Sequence, residues 1–289
     1  MPDPINTHGP CSPGYVGGDF IMNMRGNKRP RTAPPFILPQ QKTSDFVGRL
    51  EQIEHLEKIL LQPKTNRMAG IVGVAGTGGV GKSALAIYFA EKHRDKFSDG
   101  IIGVRLDSKK DVDTIAREFA RLDGEVLDED DTRNASALMQ DLFASKRILL
   151  IIDNAETSDI RVLHPGGEKC AIIVTTRDRS LPMQIDIHEE QLIDLPVLAN
   201  PESIDLLSQF IDQHKLDEEA EAIKRILVLV GNLPLAVEIV GKTLRNRLQH
   251  NPAFKISDYA NALNLDRLKL RRDSLFNVRL CFSEINHIP

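Results

Sequence analysis

The chain has 289 residues and carries 37 Lys+Arg against 41 Asp+Glu, a net charge of -4. Hydrophobic residues make up 41% and charged residues 27%, an ordinary globular balance that can bury the core of one large domain or two small ones. The lack of a basic surplus argues against sequence-independent nucleic-acid binding. Absent Trp and only three Tyr argue against an aromatic base-stacking platform. The longest aliphatic runs, 148–152 and 226–230, are far too short for a bilayer. The Met-Pro-Asp-Pro start shows no basic-then-apolar leader. Cys11, Cys170 and Cys281 form no CxxC pair, which suits a reducing cytoplasm rather than a disulfide or zinc framework.

Residues 1–40 hold eight of the sixteen prolines, with Gly and Asn between them. Such a stretch buries too little apolar surface to offset chain entropy and reads as a disordered arm. Its basic cluster Arg25, Lys28, Arg29 and Arg31 has no apolar residue interleaved, as in a solvated linker. Order is expected from about Asp45. Leu50, Ile53, Leu56, Ile59 and Leu60 recur at helical spacing, so 49–62 is predicted to be an amphipathic helix. Buried strands are expected at 69–75, 101–106, 147–153, 170–176 and 191–195. Helices are expected through Ala90, at 111–122 and at 133–145. Strands alternating with helices imply an α/β fold with a parallel sheet covered on both faces, here over 41–197. After Pro196 helical periodicity takes over, with helices predicted at 201–214, 217–230, 234–247 and 257–270. Asn232 is the expected cap of the helix that opens on Pro234. The second domain is thus a small helical one, 198–272, followed by a segment, 273–289, with no convincing domain end; the chain reads as a fragment of a larger protein.

Three segments carry chemistry. Gly76-Thr77-Gly78-Gly79-Val80-Gly81-Lys82-Ser83 satisfies G-x-x-x-x-G-K-[ST] between a buried strand and an apolar helix that continues with Ala84. Glycines let the backbone curl so that its N–H groups face phosphate oxygens. The helix N-terminus favours the same anion, Lys82 supplies a point charge, and Ser83 offers a hydroxyl to Mg2+. Ile148 to Asp153 is a buried strand ending in an acid, the Walker B pattern, which makes Asp153 the candidate magnesium residue. Asn154 follows, where many NTPases have a second acid; an amide takes no proton, so slow hydrolysis is expected, with Glu156 the nearest alternative acid. Ile172 to Asp178 delivers Arg177 to the sheet's C-terminal edge, where a guanidinium can distinguish triphosphate from diphosphate. A surface pair with Asp178 is the simpler alternative.

The order Phe46-Val47-Gly48-Arg49, phosphate loop, LLIIDNAE (149–156), IIVTTRD (172–178), Gly231-Asn232-Leu233-Pro234-Leu235-Ala236 resembles the NB-ARC module of STAND-class P-loop ATPases, of bacterial type, over about 41–289. The resemblance implies a P-loop sheet sandwiched by helices, a helical domain, and at 273–289 the start of a winged-helix segment. It implies ATP/ADP with Mg2+, with Val47 and Arg49 near adenine and ribose, Arg177 at the γ-phosphate and Pro234 packed on adenine. Gly76, Gly78, Gly79, Val80, Gly81, Lys82, Ser83 and Ala84 would line the phosphates, with Ser83 and Asp153 as metal residues. It also implies a signal-transduction switch whose nucleotide state controls domain opening and self-association, with protein partners acting through sensor or effector domains and neither nucleic acid nor membrane as a partner. Two alternatives stand beside it. One is an origin-recognition-like AAA+ ATPase acting on DNA, towards which Arg267, Lys269, Arg271 and Arg272 point; the other is a nucleotide-stabilised scaffold that does not hydrolyse.

Overall fold

The structure, a computed structural model, describes residues 33–39, 46–62, 67–73, 78–106, 111–128 and 130–273, with side chains to residue 264. Most of the arm with its basic cluster, Gly76, the side chains of Arg267, Lys269, Arg271 and Arg272, and the expected winged-helix start at 274–289 lie outside the described residues.

Six strands form one parallel sheet: β1 (Phe36–Ile37), β2 (Met68–Gly73), β3 (Gly100–Arg105), β4 (Ile148–Ala155), β5 (Ala171–Thr176) and β6 (Leu192–Leu195). Their spatial order is β1-β3-β4-β5-β2-β6. The strands read as continuous apolar runs because both sheet faces are covered, yet the alternation of a strand is intact beneath that. Ile71, Ile101, Leu149, Ile151 and Ile173 face α1 (Leu50–Leu60) and α2 (Lys82–Lys92). Ile102, Val104, Leu150, Ile152, Ile172 and Val174 face α3 (Val112–Asp123) and α4 (Ala135–Phe143). The caps are local and ordinary: Asp111 accepts from Thr114 N at 2.8 Å to start α3 and Asn134 accepts from Ala137 N at 2.9 Å to start α4. Each such cap stabilises its helix by about 1 kcal/mol. A short α5 (Leu181–Gln184) follows β5.

The helical domain holds α6 (Asn200–Ser208), α7 (Gln213–Glu218), α8 (Ala220–Val230), α9 (Pro234–His250) and α10 (Ile256–Asp273). It has its own core, with Leu207, Ile226, Val237, Leu244, Ile256 and Tyr259 buried together.

Three expectations change. The stretch 201–214, expected as one helix, is broken: α6 stops at Ser208, Phe210 turns in against Gly241, and Asp212 accepts from His214 N at 2.9 Å to start α7. Asn232 does not cap α9. Gly231 and Asn232 are both left-handed (φ 64° and 51°) and end α8, and Leu233 occupies the cap position with no side-chain bond. Residues 33–39 were placed in the arm, but Phe36–Ile37 pair with Ile101–Ile102 as an edge strand. Phe36 and Leu38 pack on the α1/α2 side of the core, and the Arg94 guanidinium sits 4.3 Å from the Phe36 ring centroid. The proline content hid an apolar core, Phe36-Ile37-Leu38, and an edge strand is where prolines are tolerated.

Two glycines of β3 make room for that segment. A Cβ on Gly100 would meet the Pro35 carbonyl oxygen at 2.6 Å, and one on Gly103 would run into the Pro39 ring. Gly100 also has φ +117°, which strains any side chain, whereas Gly103 has no such backbone demand. Gly103→Ala should therefore keep the central sheet and expel the 33–39 segment. The expected cost is about 1–3 kcal/mol of stability, with faster protease cleavage between residues 33 and 39. An unchanged cleavage rate would mean that the segment does not depend on that glycine.

Candidate nucleotide-binding site

Parallel strands place their chemistry at their C-terminal ends, and here three neighbours converge. The chain leaves β2 into the phosphate loop and returns as α2, whose first residue is Lys82. Gly79 and Gly81 take φ +83° and +100°, conformations cheap only for glycine, and so curl the loop. β4 ends in Asp153 and Asn154, and β5, lying between β4 and β2, ends in Thr175 and Thr176 with Arg177 beyond.

Asp153 is 1% exposed. One of its oxygens, Oδ1, accepts from Ser83 Oγ at 2.5 Å and from Thr175 Oγ1 at 2.6 Å. Thr175 Oγ1 itself accepts from Asn154 N at 2.9 Å, so a backbone amide, a hydroxyl and a carboxylate form one relay that fixes the acid. The second oxygen, Oδ2, is buried with no partner. A buried carboxylate oxygen left without a partner is costly, and it lies beside the Ser83 hydroxyl. This donor set fits Mg2+, which takes one or two protein oxygens and fills its octahedron with water and phosphate. Among the described residues no group of three His, Cys, Asp or Glu side chains gathers as it would for a metal held by protein alone.

Lys82 is 9% exposed. Burial, and then the nearby Arg177 charge, lower its pKa below the ordinary 10.5, while Asp153 opposes the shift. Arg177 is exposed and reaches over the loop, its Cζ 3.8 Å from where a Cβ on Gly78 would stand. It does not pair with Asp178, whose carboxylate is taken by Ser180 N and Oγ at 2.8 and 2.7 Å. Asn154 is left-handed (φ 62°), and its amide donates to Leu106 O and Glu156 Oε1, both at 3.3 Å.

The helical domain closes the other wall. Leu235 N donates to Gly79 O at 3.2 Å, and Pro234 Cγ lies 3.9 Å from a Cβ position on Gly81. Leu233 packs into the α/β core. The 46–49 segment lies in the seam: Phe46 packs on the α/β core and stacks on Tyr88 at 4.4 Å, while Val47 packs on the helical core. Gly48 and Arg49 are both left-handed at φ 65°. Arg49 is 5% exposed, and its guanidinium donates to Pro196 O at 2.7 Å, Val197 O at 3.4 Å and Val80 O at 3.5 Å. Its backbone N donates to Glu202 Oε1 at 3.0 Å. Arg49 therefore clamps the loop and the interdomain connection through backbone carbonyls, and α6 through the Glu202 carboxylate.

These parts enclose one cavity of about 450 Å³. Val47, Arg49, Gly78, Gly79, Val80, Gly81, Lys82, Ser83, Ala84, Asp153, Arg177 and Pro234 all line it, so the fold gathers every expected site residue it describes. Sequence reasoning missed Phe46, Arg105, Leu198, Leu206, Leu235 and Glu238, which also line it, and Glu202 behind it. Phe46 and Leu235 sat inside motifs already singled out; the others carry no local signal. One end of the cavity is apolar, with Phe46, Val47, Leu198, Leu206 and Pro234, and suits a planar base. The loop end suits an anion: the lining holds Arg49, Lys82, Arg105 and Arg177 against Asp153 and Glu238.

The family model described as NB-ARC domain matches residues 49–217. The chain is 30% identical over 227 residues to the regulatory protein AfsR of Streptomyces coelicolor, covering 75% of this chain and 22% of that protein. It is 27% identical over 248 residues to the disease resistance protein RPP8 of Arabidopsis thaliana, covering 80% and 27%. The chain thus spans about a quarter of its relatives' length or less. Among solved structures, Cdc6p of Pyrobaculum aerophilum superposes with a TM-score of 0.56 at 16% identity, over 74% of this chain and 65% of that one. The ORC2 protein of Aeropyrum pernix gives 0.56 at 13%, over 86% and 74%. At that identity the likeness is one of fold. No described helix is long and apolar enough to cross a membrane.

Replacing Lys82 with Ala should abolish tight Mg-nucleotide binding, since the lost charge-assisted bonds are worth about 1.5–3 kcal/mol or more; unchanged ATP and ADP affinity by calorimetry would remove the assignment. Lys82 also gives a sign for pH. A bound phosphate favours the charged ammonium and lifts the lowered pKa. Binding at alkaline pH, below 10.5, should therefore take up protons. Calorimetry of the parent chain at alkaline pH, in buffers of different ionisation enthalpy, should show that uptake; binding with no proton uptake there would remove the Lys82 contact.

Proposed function

The chain belongs to the NB-ARC domain family, and from that premise we propose that it is an ATP/ADP-dependent signalling switch in which the nucleotide sets how the helical domain sits on the α/β domain. The observation that carries the reading is the bond from Leu235 N to Gly79 O, with Pro234 beside Gly81. A ligand that reshapes the phosphate loop acts on the first turn of α9 directly. A ligand shifts a conformational equilibrium only through contacts that differ between states. Arg177 is the candidate contact to a third phosphate, and Pro234 is the candidate contact to the base from the helical side. ADP would hold the two domains together, and ATP would favour an opened form able to self-associate. The regulatory and disease-resistance names of the relatives accord with a signalling role.

In this reading Lys82 and the loop amides bind the phosphates, and Ser83 and Asp153 hold Mg2+, which neutralises phosphate charge when bound. Thr175 keeps Asp153 aimed at that position. Turnover should be slow. Asn154 accepts no proton, and its amide is held by Leu106 O and Glu156, so hydrolysis relies on positioning and charge. The loader-like alternative would want an acid at 154 and a sensor arginine in the helical domain, where GNLPLA stands instead.

The test separates two mutants. Arg177→Ala should weaken ATP binding and leave ADP nearly unchanged. Pro234→Ala should weaken ADP more than ATP and, by linkage, raise the open fraction of ADP-bound protein, seen as a larger radius in small-angle scattering. Equal shifts for both nucleotides in both mutants would leave a nucleotide-stabilised scaffold in place of a switch. Steady-state phosphate release should lie well below the roughly 1–100 per second of kinases, and Asn154→Asp should raise it. Turnover on the kinase scale would point to another residue, Glu156 first, as the one that activates water.

A further inference from the structure

Arg105 belongs to none of the motifs, yet the strand geometry places it beside the magnesium carboxylate. In β3 and β4 the register pairs Gly103 with Ile151 and Arg105 with Asp153. Paired residues of parallel neighbours stand about 4.8 Å apart and point to the same face. Ile101, Leu149 and Ile151 mark that face as the one covered by α2, and Asp153 obeys the same parity by reaching Ser83 at the start of α2. Arg105 is two residues beyond Gly103, so its side chain leaves the sheet on the α2 face, at the strand's end, and it lines the cavity. Leu106 N donates to Asp153 O at 2.8 Å, which fixes the two strand ends in register at this level.

The strand order then makes a row along the sheet's C-terminal edge: Arg105 on β3, Asp153 on β4, Thr175 and Arg177 on β5, and the phosphate loop after β2. Asp153 thus stands between a strand that ends in Arg105 and a strand that is followed by Arg177. We propose that Arg105 is a second cationic contact for the third phosphate, approaching it from the side of Asp153 opposite Arg177. This deepens the switch reading and rests on the cavity being an ATP/ADP site.

Charge supports the assignment. Lys82, Arg105 and Arg177 line the loop end of the cavity with Asp153 as the nearby acid, and Lys82 already feels Arg177 as an unfavourable neighbour. Lys82 is buried while Arg105 and Arg177 are exposed, so the two guanidinium groups stand on the solvent side of the site, where an arriving anion would meet all three charges. A third phosphate brings that anion to the part of the site next to Asp153, whereas the first two lie against the loop and the N-terminus of α2. The same guanidinium suits the chemistry of a site with no base at 154, because charge at the terminal phosphate is then the main quantity that side chains can stabilise.

The measurement is calorimetric affinity for Mg-ATP, as a slowly hydrolysed analogue, and for Mg-ADP, on Arg105→Ala, Arg105→Gln and Arg105→Lys, with Arg177→Ala alongside and circular dichroism to verify folding. Arg105→Ala and Arg105→Gln should each weaken the triphosphate by at least about tenfold and ADP by no more than about twofold, and Arg105→Lys should recover part of the loss. If Arg177→Ala discriminates the nucleotides and the Arg105 variants do not, Arg105 is no phosphate contact and the switch reading stands without it. If the Arg105 variants discriminate while Arg177→Ala and Pro234→Ala do not, this contact stands and the switch reading fails. Equal weakening of both nucleotides by Arg105→Gln and Arg105→Lys would make Arg105 a packing residue of the sheet edge and overturn the proposal.

Discussion

The first turn of a helix has N–H groups with no partner inside the helix. In α9 one of them is satisfied across a domain boundary: Leu235 N donates to the carbonyl of Gly79. α9 has no side-chain cap of its own, since Leu233 holds the cap position. The phosphate loop therefore faces two ways. Its curl turns amides toward an anion, and the same curl turns carbonyls outward, where Gly79 O meets α9 and Val80 O meets Arg49. The glycines serve both sides. A Cβ on Gly79 would stand 3.0 Å from Leu235 Cβ, so a residue there would push α9 away as well as strain the loop. The cavity, the domain seam and the position of Pro234 all follow from that shared backbone.

The sheet order does the rest of the placing. β5 lies between the strand that precedes the loop and the strand that carries Asp153. Its two terminal threonines are consequently structural parts of the site: Thr175 orients Asp153, and Thr176 accepts from Asp178 N at 3.0 Å and donates to Ala155 O at 2.7 Å. With both hydroxyls engaged in this way, Arg177 is the next side chain free of the strand and emerges over Gly78. The Thr-Thr-Arg order thus has a physical meaning at each letter.

Much of this was legible in the sequence, for different reasons in different places. The strands and helices of the α/β domain were readable because apolar runs and helical spacing are local. The loop and Asp153 were readable because phosphate and magnesium chemistry constrain residue type and spacing tightly. Arg177 was readable from the strand that delivers it to the sheet edge, whereas Pro234 acquired its role only through the family resemblance. The edge strand at Phe36–Ile37 was hidden because its partner, β3, is some sixty residues on, and composition drew the eye to proline. The break after Ser208 depended on a packing partner, Gly241, that periodicity does not see. Arg105 and Glu202 were hidden for the same reason. Arg105 matters only through register with Asp153, and Glu202 through two backbone amides, Arg49 N at 3.0 Å and Ala199 N at 2.8 Å.

Asn154 joins backbone geometry to chemistry. The β4–β5 register shifts between Ile152 and Ala155, and Asn154 sits in that irregularity at φ 62°. The irregularity lets its N–H reach Thr175 Oγ1, the hydroxyl that fixes Asp153. A left-handed residue is tolerated when it is Asn, Asp or Gly and costs about 1–2 kcal/mol for most others. A glutamate at 154 would have to bear that strain or undo the bend, and undoing the bend would release Thr175 and with it the aim of Asp153. The same turn that makes the metal residue rigid thus selects against the longer acid that would make hydrolysis fast. Asp is the acid the backbone would accept, and its carboxylate ends one methylene shorter. In the proposed switch, a site built in this order would bind and discriminate nucleotides through fixed charges, with turnover secondary to the bound state.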